Sequence, residues 1–266
     1  MIDTTIDNHI HTRLCHHARG ELEEYVLSAI NKGLRKIFFL EHLEVGIDYF
    51  ESTWLTDDDF AYYHAEGKRL REKYRDEISI GLGVEVGYNP RCVTEIEQRL
   101  ALQKWDRIGI SYHFLETDSG HLNMVSSKQI NIDRLDQYGI DNVLDRYYKD
   151  LLEAVKKLPG QVLCHIDAAL RHHPEAKLKP SHHALLDELL DLVADKNMYL
   201  EVNTSGYKTK GEPYPSLAIL KKAVNRNIPL VAGSDAHCPE DVGRYFDRLP
   251  GLMEKIVDRG QTADGV

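Results

Sequence analysis

Long apolar runs are missing from this 266-residue chain. Nothing approaches the roughly 18 consecutive apolar residues of a membrane-spanning helix. Basic residues are in deficit too, with 33 Lys and Arg against 43 Asp and Glu, a formal charge of −10. That balance argues against capture of a nucleic-acid backbone, which needs clustered cations. Cysteine is scarce: Cys15, Cys92, Cys164 and Cys238 are too few for a disulfide framework in so long a chain. The opening residues, Met1 to Asp7, lack the basic and apolar regions of a signal peptide. No linker rich in Pro, Gly or Ser interrupts the sequence, and no repeat is visible. These absences predict a cytoplasmic protein built as one domain over residues 1–266, large enough to bury a core without staples.

What the chain does have is a recurring pair of patterns. Short apolar, β-branched runs suit buried parallel strands. They lie at Thr5–His9, Lys36–Leu40, Ile78–Val86, Trp105–Ser111, Gln161–His165, Met198–Val202 and Pro229–Ala232. Between them run helical patterns at Gly20–Gly33, Asp57–Arg75, Pro90–Gln103, Asp141–Leu158, Ser181–Lys196, Ser216–Asn225 and Pro239–Asp258. The first helix places Leu22, Tyr25, Val26, Ala29 and Ile30 on one face. Ser181 and Ser216 read as N-caps and Gly33 as a helix stop. Such alternation predicts an α/β domain with a parallel sheet. No Gly-x-Gly-x-x-Gly or Walker loop follows a strand, so a closed barrel of about seven strands fits better than an open nucleotide-binding sheet. Leu115–Gly139, the longest polar stretch, reads as an excursion over the barrel mouth.

Histidine is abundant, with 14 residues, and many fall where strands end. His9 and His11 stand at i and i+2 on an extended segment, so both rings face one side. His42, Glu85, His113 and His165 close the second to fifth runs, and Asp235 and His237 close the last. At the C-terminal mouth of a barrel these groups would converge on metal ions such as Zn, Mn or Fe. Of the other histidines, His64, His121, His182 and His183 read as solvated, and His172 and His173 lie close behind the fifth strand. His16 and His17 compete for one role. The cysteines beside the proposed ligands read as small buried residues.

In order along the chain, His9-x-His11-Thr12 with Cys15 and His17, Glu41-His42, Gly83-x-Glu85, Ser111-Tyr112-His113-Phe114, His165-x-Asp167, Asn203-Thr204-Ser205-Gly206 and Gly233-Ser234-Asp235-Ala236-His237 form a series. That series resembles the PHP (polymerase and histidinol phosphatase) superfamily, in its histidinol-phosphatase branch. The resemblance implies a distorted seven-stranded (β/α)7 TIM-like barrel with its active site at the C-terminal strand ends. It implies three divalent transition-metal ions and favours His17 over His16. His9, His11, Glu85 and Asp235 would hold one ion; Glu85, His113 and His165 a second; His17, His42 and His237 the third. Asp7 would orient the first pair of imidazoles.

The reaction so implied is hydrolysis of a small phosphate monoester, L-histidinol phosphate first, as in histidine biosynthesis. Glu85, Asp235 and His237 would be catalytic, with Asp235, His237 or a metal-bound water serving the leaving oxygen. Arg171 and Lys208 would bind the phosphate, although the branch carries more basic residues after the fifth strand and Arg in place of Lys208. The rival readings are a PHP phosphoesterase acting on another small phosphate or a nucleic-acid end, and a metal-binding barrel without catalysis. Oligomeric state is not legible in the chain.

Overall fold

The computed structural model describes residues 2–257. Its strands are β1 (Ile6–Ile10), β2 (Lys36–Leu43), β3 (Ser79–Gly87), β4 (Ile108–Ser111), β5 (Phe114–Thr117), β6 (Gly120–Asn123), β7 (Val162–Leu163), β8 (Tyr199–Asn203) and β9 (Leu230–Gly233). Seven of them form one parallel sheet in the order β1-β2-β3-β4-β7-β8-β9. The outer strands meet just beyond their ends. Ile10 bridges Ala236, the His11 amide donates to Ala236 at 2.9 Å, and the Asp235 amide donates to His9 at 2.9 Å. The sheet is therefore a nearly closed (β/α)7 barrel.

The helices are α1 (Leu22–Asn31), α2 (Asp57–Lys73), α3 (Val93–Ala101), α4 (Gln129–Tyr138), α5 (Ile140–Lys157), α6 (Pro180–Asp195), α7 (Gly206–Thr209), α8 (Leu217–Asn225) and α9 (Leu249–Val257). They cover the outside of the barrel, so the strands are buried on both faces and read as continuous apolar runs. In β2, Ile37 to Leu43 are all buried. The predicted face of α1 is buried through Leu22, Tyr25, Val26 and Ala29; Leu22 and Val26 contribute about 1.5–3 kcal/mol each. Gly33, at φ 73°, ends that helix as expected. No helix among the described residues is long and apolar enough to cross a membrane.

The stretch Leu115–Gly139 carries structure of its own, most of the β5–β6 hairpin, turning through Gly120 at φ 89°, and α4. Three expectations need correction. The helix expected over Pro239–Asp258 is broken into two short 3-10 turns and α9, because Gly243 and Tyr245 take left-handed φ values of 62° and 59°. Its last residue, Asp258, lies outside the described residues. α6 is capped by Lys179 rather than Ser181, since Pro180 takes the first helical position, where its missing amide costs nothing. The fifth run pairs only at Val162 and Leu163, because His165 leaves the ladder at φ 20° to turn inward.

Candidate metal centre

The parallel register delivers the acidic and imidazole groups to one mouth. His42 on β2 lies opposite Glu85 on β3. His9 ends β1, with His11 just past it, while His113, His165, Asp235 and His237 follow β4, β7 and β9. Glu85 sits at the centre, fully buried.

Three groups of donor atoms form around it. In the first, His9 Nε2 stands 2.8 Å from His11 Nε2 and 3.5 Å from Glu85 Oε2. His11 Nε2 is 3.6 Å from Glu85 Oε2 and 3.4 Å from Asp235 Oδ1. Ligand atoms about 2.1 Å from a tetrahedral ion are themselves separated by about 3.4 Å, so these spacings suit one. In the second, Glu85 Oε1 faces His113 Nε2 at 3.3 Å and His165 Nε2 at 2.7 Å. In the third, His17 Nε2 and His237 Nε2 stand 2.8 Å apart. His42 lies between the groups, with Nδ1 at 2.9 Å from Glu85 Oε2 and its ring 5.4 Å from that of His17. His16, by contrast, points its Nε2 toward Asp59 at 3.7 Å.

Protonation states test whether cations belong here. His17 Nδ1 lies 2.8 Å from the Cys15 carbonyl and His237 Nδ1 lies 3.0 Å from the Asp235 carbonyl, so both Nδ1 atoms carry the hydrogen. Their Nε2 lone pairs then face each other, an arrangement that needs a cation between them. His9 is set the same way, with Nδ1 at 2.6 Å from Glu201 Oε1. Both oxygens of buried Glu85 lack a hydrogen-bond donor. The donor set fits divalent metal ions.

The electrostatics say what an incoming ion displaces. Burial works against charge on every group, yet Glu85 is held well below the usual carboxylate range by His113, His9, His42 and His165. Against the same burial, Glu201 and Glu85 raise His9 well above its ordinary value, and Glu85 with Glu44 pushes His113 up to about 10. Burial and neighbouring imidazoles lower His11 and take His17 down to about 3. In ion-free protein His9 and His113 therefore hold protons at neutral pH. Zinc binding at pH 7 is expected to release about two protons, and affinity to weaken as pH falls below the His113 value. Calorimetry in buffers of different ionisation enthalpy measures this; binding without proton release would contradict it.

Several supporting groups were not singled out in the sequence. Glu201 on β8 holds His9 and accepts the His165 amide at 2.9 Å. Glu44 holds His113 Nδ1 at 2.7 Å. Asn203 donates to Asp235 Oδ2 at 3.0 Å, and Arg244 holds the Asp235 carbonyl at 3.0 Å. Two glycines make room for the carboxylates: an added Cβ would lie 2.1 Å from Glu201 Oε1 at Gly233 and 2.0 Å from Glu44 Oε2 at Gly87. Gly233→Ala is expected to cost about 1–3 kcal/mol and to lower metal content, read by thermal unfolding and elemental analysis.

Other expectations change. Asp7 orients no imidazole: it accepts backbone amides of Ser234 at 2.9 Å and Gly243 at 2.8 Å, clamping the barrel seam. His64, His121 and His182 are buried rather than solvated. His64 packs on Trp105, His121 accepts the Asp48 amide, and His182 accepts the Lys179 amide. Only His183 of that set is exposed. His173 is tied to Asp136 at 2.9 Å, whereas His172 lines the cavity at the mouth.

That cavity, about 410 Å³, is bounded by the imidazoles on one side and by Arg171, Lys208 and Tyr214 on the other. The Arg171 guanidinium lies over the Tyr214 ring at 4.6 Å, with Nη1 3.6 Å from Asp235 Oδ2. Its Nε and Nη2 are buried and unpartnered among the described residues. A fork of free donors beside a metal-ion site is suited to an oxyanion.

Residues 7–205 match the PHP domain family, and residues 219–250 match the PHP-associated family. The chain belongs to the PHP family. Within it, the chain falls in the histidinol-phosphatase branch. This PHP chain is 30% identical over 263 residues to the histidinol-phosphatase of Bacillus subtilis, across 91% of this chain and 96% of that protein. It is 26% identical to the histidinol-phosphatase of Lactococcus lactis, across 87% and 84% of the two. The PHP barrel also overlays, with a TM-score of 0.79, on the Lactococcus lactis histidinol phosphate phosphatase solved with zinc, L-histidinol and phosphate. That overlay covers 95% of this chain and 93% of the other at 21% identity, a likeness of fold.

Proposed function

We propose that this chain hydrolyses L-histidinol phosphate to L-histidinol and phosphate, a step of histidine biosynthesis in the cytoplasm. The observation that carries the reading is the pairing of a buried, donor-free Glu85 ringed by imidazoles with an unpartnered Arg171 across one cavity. The similarity to histidinol-phosphatases along most of the chain supports the choice of substrate. Three ions would be held by His9, His11, Glu85 and Asp235; by Glu85, His113 and His165; and by His17, His42 and His237. When bound, such ions activate water near neutrality and neutralise phosphoryl charge.

The chain's own groups then have distinct tasks. Arg171 lines the cavity and its unpartnered guanidinium would turn to the phosphoryl oxygens, while Lys208 would add a second positive charge from α7. Asn203 and Arg244 fix Asp235, whose backbone is held at a left-handed φ of 51°. Despite burial, His11 and the nearby imidazoles hold Asp235 well below the usual carboxylate range, so it balances charge and donates no proton at neutral pH. His237 has no proton to spare either, since its Nδ1 hydrogen is held by the Asp235 carbonyl and burial lowers its value, so water at the centre would supply the proton of the leaving oxygen. Strands from both family-matched segments build the one barrel, which supports a single catalytic domain.

Phosphate release from histidinol phosphate, a panel of small monoesters and a labelled oligonucleotide tests the reading. Histidinol phosphate is expected to lead in kcat/KM by at least about tenfold. A different monoester leading by that margin, or shortening of the oligonucleotide, would overturn the choice of substrate.

A further inference from the structure

We propose that the opposite, N-terminal mouth of the barrel is a second binding site, for a small organic anion with an apolar or aromatic body. A cavity of about 580 Å³ opens there, larger than the one beside the metal centre. Along β2, Lys36, Phe38, Leu40 and His42 alternate on one face, so Lys36 and His42 are about 20 Å apart. Leu40, Val162 and Cys164 form an apolar plug between the two mouths. The lower cavity is therefore separate from the phosphate site.

Two cations share one aromatic ring in its wall. The Arg107 guanidinium lies 3.8 Å from the Phe38 ring centre and Lys36 Nζ lies 4.4 Å from it. The ring attracts both but neutralises neither. Among the described residues, neither cation makes an ion pair: the Arg107 side chain donates to Asn8 Oδ1, and Lys36 Nζ has no hydrogen-bond partner. The carboxylate in the wall, Asp3, is already bound by Arg35 at 2.9 Å and by Thr5. Burial, with Arg107 nearby, lowers Lys36 below its ordinary value, and burial lowers Arg107.

The chain carries ten more acidic than basic side chains, 43 against 33, yet none of the described acids pairs with these two. Holding like charges together in a partly buried wall is costly without an anion. The remaining surface selects the body of the ligand. Ile2, Ile228, Leu230 and Met253 are apolar, and the half-exposed Tyr199 ring lies 5.8 Å from the Arg107 guanidinium. A carboxylate or phosphate head would lie between Lys36 and Arg107, with its body against Tyr199 and Ile228.

The test uses zinc-loaded, isotope-labelled enzyme, in which the amides of His42 and His237 report any binding at the catalytic mouth. Benzoate and sulfate are titrated separately while amide shifts are followed. Benzoate is expected to move the amides of Asn8, Lys36, Tyr199 and Ile228 while leaving those of His42 and His237 in place. Lys36→Met should weaken that binding at least about tenfold; Arg107→Lys, which keeps the charge but loses the fork, should weaken it less and carries the test if the first variant does not fold. Shifts confined to the metal centre, or undiminished binding in both variants, would overturn the site. Sulfate binding as tightly as benzoate would overturn the organic character of its ligand.

Discussion

Glu85→Gln is expected to lower kcat for histidinol phosphate by about 10³-fold or more, in line with loss of a principal electrostatic contributor. The side chain keeps its shape, so the barrel should still fold. What changes is charge: Glu85 faces His9, His11 and His42 with one oxygen and His113 and His165 with the other. A neutral amide would be a poor ligand for a divalent cation, and its NH2 group presents hydrogens where lone pairs would be needed. Metal content should fall alongside turnover, while circular dichroism stays that of the unaltered protein. A folded variant with undiminished turnover would show that Glu85 does not tie the centre together.

The second large effect is expected at Arg171. Arg171→Met should reduce kcat/KM by about 10²–10³-fold and weaken competitive inhibition by inorganic phosphate, with metal content unchanged. The buried guanidinium is held by Asp235 and Tyr214 but leaves Nε and Nη2 without partners among the described residues. A small movement of the guanidinium would offer those two donors to a phosphoryl group in the cavity. Arg171→Lys keeps the charge without the fork and should recover only part of the loss. An unchanged inhibition constant for phosphate in Arg171→Met would remove this residue from the phosphate site.

The barrel was legible because parallel strands covered on both faces leave uninterrupted apolar runs, as in Ile37-Phe38-Phe39-Leu40. The grouping of His9 with His11 was legible for a simpler reason, their spacing on an extended segment. Less visible were residues that act across long sequence separations. Glu201 reaches His9 over 192 residues and Glu44 reaches His113 over 69. A signal did exist for Glu201: it is a charged residue inside an otherwise apolar run, and a buried charge in a strand demands a partner. Glu44 lies just past β2 and carries no such mark. The roles of Asp7 and of the buried histidines His64, His121 and His182 were hidden as well, because spacing says which residues share a face but not what lies opposite.

The central claim is that phosphate-ester hydrolysis depends on a centre of three ions. It is tested most directly by stripping the protein of metal and adding zinc back in counted equivalents, with phosphate release from histidinol phosphate measured at each step. Glu85 and the eight residues grouped with it predict no turnover without metal and a plateau at three equivalents per chain. Full turnover in the stripped protein, or a plateau at one equivalent, would contradict it.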